Sequence, residues 1–60
     1  MVDRPRTYQL RVLRRRGGVE DVQIVCTPQE LLAEAHRLRR QSDAQEVEVL
    51  SDGEHLFALA

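Results

Sequence analysis

The chain has one cysteine, no tryptophan, no lysine, one tyrosine and one phenylalanine among 60 residues. A single cysteine rules out an intramolecular disulfide. Cys26, His36 and His55 are too far apart for the close C-x-x-C or H-x-x-x-H pairs of a structural zinc site. Both usual staples of very small domains are therefore missing. No apolar run approaches the roughly 18 residues that cross a bilayer, and the opening M-V-D-R-P-R-T has no apolar stretch of a secretion signal. The expectation is a cytoplasmic protein, with which a lone cysteine in a reducing compartment agrees.

What is present is a folding composition. Hydrophobic residues make up 42% and charged residues 32% of the chain, too rich in branched aliphatics for a disordered tail. Residues 1–60 form one domain, with 1–6 expected to be flexible. A chain of this length buries only about 60% of the surface its unfolded form exposes, so its stability is marginal. Oligomerisation is the remaining way to bury more apolar area. Net charge is −1 but unevenly spread: residues 1–16 carry six arginines against Asp3, and 17–60 carry three arginines against nine acids. The all-arginine basic set is read as the mark of a GC-rich bacterial or phage genome.

From Thr7 to Arg15 the side chains alternate, Tyr8, Leu10 and Val12 against Gln9, Arg11, Leu13 and Arg15. After Gly17-Gly18 the run Val19 to Cys26 alternates again. Period two means strands, and the pair is a hairpin. A two-residue Gly-Gly turn would mix polar and apolar residues on both faces. A three-residue loop, Arg16-Gly17-Gly18 with Gly18 left-handed, sets Val12 opposite Val22, Leu10 opposite Ile24 and Tyr8 opposite Cys26, and places Arg14 facing Glu20.

T-P-Q-E at 27–30 combines a capping Thr27, Pro28 at the first helical position and Glu30 completing a capping box. Leu31, Leu32, Ala35 and Leu38 make the apolar stripe of a helix from about Pro28 to about Gln41, with Arg37, Arg39 and Arg40 in its last turns. A second hairpin follows, turning at Ser51-Asp52-Gly53. The preferred three-residue loop pairs Val47 with Phe57 and Val49 with His55; a two-residue Asp52-Gly53 turn would pair Val49 with Leu56 and Val47 with Ala58. The first puts Phe57 and Leu59 on the helix-covered face.

The fold class is α+β, ββαββ, a four-stranded mostly antiparallel sheet with one helix packed on one face. Two strand orders remain open: first and last strands adjacent and parallel at the centre, or another pair central. The opening T-Y-Q-L, the element lengths and the closing F-A-L resemble the layout of the small β-grasp domains, such as the immunoglobulin-binding repeats of protein G. That resemblance implies the first order. The aromatic-rich second hairpin of those repeats is absent, and no binding function is carried over.

One helix covers one face. The other presents Leu13, Val25, Leu50, Leu56 and Ala58 among Gln9, Arg11, Arg15, Gln23, Glu46 and Glu48. An open sheet face is normally polar, so these aliphatics indicate a homodimer or partner surface, unless they are the scattered apolar residues of any surface. Arg11, Leu13, Arg15, Val25, Glu48, Leu50 and Leu56 are its candidate residues, with the basic first strand of one subunit lying over the acidic third strand of the other. The expected function is a non-enzymatic protein–protein interaction or adaptor module that self-associates through this face.

The alternative is a nucleic-acid contact by Arg14, Arg15 and Arg16 at the hairpin tip, which would be salt-sensitive. A slightly acidic balance and two inward aromatics weigh against it. No catalytic, cofactor or metal residues are assigned. His36 reads as a solvated helix residue, His55 as a strand-edge residue and Cys26 as a small buried hydrophobe.

Overall fold

The computed structural model describes residues 4–60. The elements run β1 (Arg6–Arg14), β2 (Val19–Cys26), α1 (Pro28–Arg39), β3 (Ala44–Ser51) and β4 (Glu54–Leu59). They form one open antiparallel sheet in the order β2-β1-β3-β4, so the second of the two strand orders is adopted. β3, not β4, lies beside β1, which corrects the β-grasp arrangement. Either neighbour would keep β1's apolar face inward, so alternation alone does not distinguish them. Of the stretch 1–6, residues 1–3 lie outside the described residues, while Arg6 already pairs with Cys26.

In the first hairpin Tyr8 pairs with Ile24, Leu10 with Val22 and Leu13 with Val19. Each pairing differs by two residues from the expected one. The loop is of the expected kind but starts one residue earlier: Gly17 N–H donates to the Arg14 carbonyl, Arg14 N–H donates to the Gly18 carbonyl, and Gly17, not Gly18, has the positive φ of +89°. Moving the loop by one residue moves the pairing by two, and a two-residue slip leaves every side chain on its original face. Tyr8, Leu10, Val12 and Cys26 are accordingly buried, with Ile24 packed against them.

The second hairpin adopts neither expected register throughout. Asp52 and Gly53 have φ of +51° and +79°, the mirror-image turn that Asp-Gly favours, and Ser51 pairs with Glu54 and Leu50 with His55. Beyond that the register shifts, so that Val49 faces Phe57 and Val47 faces Leu59. Leu56 is the extra residue of a β-bulge. The turn chemistry demands a two-residue loop while the apolar pattern demands Phe57 and Leu59 inward, and the bulge satisfies both.

The helix begins as its sequence dictates. Thr27 accepts from the Glu30 N–H, and the Glu30 carboxylate accepts from both the Thr27 N–H, at 3.0 Å, and its hydroxyl, at 2.8 Å. These bonds pull the Glu30 carboxyl below the usual carboxylate range. The helix ends at Arg39 with Arg40 as its cap, slightly before the expected Gln41. Leu31, Ala35 and Leu38 are buried, but Leu32 is 51% exposed and drops out of the stripe. The helix packs on β3, then β1 and β4, and its contact with β2 is the weakest in the sheet. Beneath it Leu10, Val12, Val47 and Val49 are fully buried. No helix of the described residues is long and apolar enough to cross a membrane.

Candidate interaction surface

The uncovered face is organised in rows by the strand register. Asp21, Arg11, Glu48 and Ala58 lie side by side across its middle. Arg11 Nε donates to Asp21 at 3.2 Å, and its Nη1 lies 4.0 Å from Glu48. The opposite charges expected to meet across two subunits thus meet within one chain, because β1 and β3 are neighbours. This row divides the aliphatics. Leu13 and Val19 pair at one end, Leu50 and Leu56 lie towards β4, and Val25 stands on β2 away from both.

The candidate residues consequently differ in availability. Leu50 is only 9% exposed, set between Gln9 and the bulged segment of β4. Leu13, Arg11 and Glu48 are half-buried, while Val25 and Leu56 are exposed. Arg15 is not on the face. Strand β1 ends at Arg14, and Arg15 lies in the loop with its N–H donating to the Asp43 carbonyl.

What the sequence reasoning missed is strand β2. Adjacent strands are spaced about 4.8 Å apart, so four strands are wider than one helix of about 10 Å can cover. With α1 centred over β3 and β1, β2 is left at the margin. Val22 and Ile24 on its helix side remain half-buried, and Val19 and Val25 on its other side are 57% and 69% exposed. β2 is also a sheet edge, eight residues long, without proline, glycine or a register shift. The ratio of one helix to four strands was the available signal for this gap.

The edge carries two charged side chains, Glu20 and Asp21, and β1 engages both. Asp21 is held by Arg11, and Glu20 by Arg14 Nη2 at 2.9 Å. Arg14 Nη1 also donates to Asp43 at 2.6 Å and to Gln41 at 2.9 Å. The expected Arg14–Glu20 contact therefore forms, although Glu20 pairs with Val12 and the guanidinium reaches it diagonally. Burial alone would lower the Arg14 pKa, but its bonds and charge attraction to Asp43 and Glu20 outweigh that and raise it above the ordinary arginine value.

Of the three hairpin arginines, then, Arg14 is committed to the fold, and Arg15 and Arg16 are exposed. Because Arg14 ties the hairpin tip to residues 41 and 43, just past the helix, Arg39 and Arg40 lie at the same end of the molecule. Arg39 is part-buried and donates to the Ala44 carbonyl, while Arg40 is exposed.

The titratable groups elsewhere are dispersed. Cys26 is buried beneath the helix start, and desolvation, followed by the charges of Glu30 and Glu34, pushes its thiol pKa up. His36 and His55 are exposed. Among the described residues no three His, Cys, Asp or Glu side chains gather where they could hold a metal ion. The chain matches no family model, no curated protein and no solved structure.

Proposed function

We propose that this domain is a non-enzymatic protein–protein interaction module that acts in the cytoplasm by associating with a second copy of itself. The observation carrying this reading is the state of β2: an unbroken edge strand with branched aliphatics exposed or half-exposed on both faces. Natural sheets usually blunt such an edge with charge, proline or a bulge. Here the two acids are drawn back by β1 arginines. The opposite edge, β4, is shorter and bulged at Leu56. A small domain with no intramolecular disulfide and, among the described residues, no cluster that could hold a metal ion also gains stability from association.

The open face contributes at its margin, through Leu13 beside Val19 and through Val25, rather than through its charged middle row. Light scattering over a concentration series tests the reading. Wild type should move from monomer to dimer mass with rising concentration, and Val25→Lys should stay monomeric with an unchanged circular dichroism spectrum. A wild type that stays monomeric at every concentration refutes self-association.

A second reading, contact with nucleic-acid phosphates, is favoured by one observation: Arg15, Arg16 and Arg40 are exposed at the end where the hairpin tip meets the helix terminus. It lacks a stacking platform, since Tyr8 and Phe57 both belong to the helix-covered side. A gel shift at two salt concentrations tests it. Binding that depends on Arg15 and Arg16 and weakens steeply with salt would support it, and no shift at low salt would exclude it.

A further inference from the structure

Resting on the self-association reading, we propose that two copies pair β2 to β2 antiparallel about a two-fold axis at Val22, forming one eight-stranded sheet with both helices on the same side. The backbone groups left free along β2 set the pairing. Leu13 and Val19 pair across β1 and β2, and the hydrogen bond just beyond them runs from Arg14 N–H to the Gly18 carbonyl. Antiparallel ladders alternate, so Glu20, Val22, Ile24 and Cys26 direct N–H and C=O towards β1. Val19, Asp21, Gln23 and Val25 direct theirs out of the sheet.

A second strand must satisfy three conditions. It must oppose outward-directed residues to outward-directed residues, keep the two helix-covered faces on one side, and avoid bringing acids opposite one another. A two-fold centred on Val22 meets all three. Val19 faces the partner's Val25, Asp21 faces the partner's Gln23, Val22 faces the partner's Val22 and Glu20 faces the partner's Ile24. All four outward residues then use both backbone groups. A two-fold centred on Gln23 would set Val19 against Thr27, which lies beyond β2, and would lose bonds. One centred on residue 20 or 21 would bring acids opposite one another.

The residual charge is also accommodated. Each Asp21 stays with Arg11 and each Glu20 with Arg14 of its own chain. On the helix side, the half-buried Val22 and Ile24 of both copies form a strip between the two helices, covering aliphatics that one helix leaves partly exposed. On the other side Val19 of each copy meets Val25 of its partner, the two most exposed large aliphatics among the described residues.

Disulfide trapping tests the register. In a Cys26→Ala background, Val22→Cys places two thiols on a non-hydrogen-bonded antiparallel pair, where Cα atoms are about 4.5 Å apart and within the roughly 4.4–6.8 Å that a disulfide spans. Mild oxidation should convert most of this variant to covalent dimer. Ile24→Cys, whose counterpart is four residues along, should remain largely monomeric. Gln23→Pro should abolish dimer formation while retaining the fold, because its N–H faces outwards and an edge strand tolerates proline there.

A doubled mass without trapping at Val22→Cys would overturn the edge pairing and leave self-association standing. Trapping at Gln23→Cys in preference to Val22→Cys would overturn the register. Monomer mass throughout would remove both this proposal and the reading beneath it. If Gln23→Pro does not fold, the trapping comparison still decides.

Discussion

Leu10 and Leu13 are three residues apart on β1 and on opposite faces of the sheet. Leu10 is fully buried, between Val22 and Val49 and beneath the helix; Leu13 is half-buried at the hairpin end beside Val19 and Glu46. Replacing a fully buried leucine by alanine costs about 2–5 kcal/mol. A 60-residue domain has only about 3–9 kcal/mol in all, at roughly 0.05–0.15 kcal/mol per residue. Leu10→Ala should therefore remove between about a quarter and all of the stability and lower Tm by at least about 8 °C. Leu13→Ala removes side-chain area already half in water and should cost about 1 kcal/mol. Urea unfolding followed by circular dichroism at low protein concentration, with equal m-values confirming comparable end states, measures both. An equal or larger cost at Leu13 would refute the assignment of faces. A Leu13→Ala cost that grows with protein concentration more steeply than that of Val25→Ala would instead place the open face, rather than the β2 edge, at the centre of the proposed dimer.

Thr27→Ala should cost about 1 kcal/mol through loss of the helix cap, read in the same urea experiment. The Glu30 carboxyl is depressed in the folded state by its bonds to Thr27, so its contribution is fully present above the unfolded carboxylate pKa and is lost as pH falls through the lower folded value. The stability difference between wild type and Glu30→Ala should shrink over that acidic window; a difference unchanged down to strongly acidic pH would contradict the capping box. Gly53→Ala forces a side chain into a φ of +79° and should cost about 1–2 kcal/mol, whereas Asp52→Asn should be nearly neutral. Cys26 should react with a thiol reagent far more slowly in the folded protein than in denaturant at neutral pH, because burial both shields it and raises its pKa.

The order of elements, the capping box and the buried face were legible because each rests on local periodicity. Tyr8, Leu10, Val12, Val47 and Val49 could be assigned inward without knowing any neighbour, and all five are buried. Pairing was less legible because alternation fixes register only up to steps of two, and the adjacent Gly17 and Gly18 offered two loops differing by one such step. At the second hairpin two local signals conflicted, and a bulge at Leu56 reconciled them in a way that no single register expresses. Strand order was not legible, since β3 and β4 present equivalent apolar faces to β1.

That order matters most for the site. With β3 beside β1, Arg11 and Glu48 face one another in one chain, and the charge pattern that pointed to a face-to-face dimer is satisfied internally. The same order leaves β2 at the edge, where the helix covers the sheet least. Val19, Val22 and Ile24 thereby join Val25 on the proposed association surface, while Leu50 and Arg15 leave it.

Backbone amide exchange along β2 tests pairing through this edge most directly. The N–H groups of Glu20, Val22, Ile24 and Cys26 point to β1 and should be protected at any concentration. Those of Asp21, Gln23 and Val25 should exchange freely in dilute monomer and become protected in step with dimer mass. If they still exchange freely once the mass has doubled, the copies meet elsewhere and the edge-strand account is wrong.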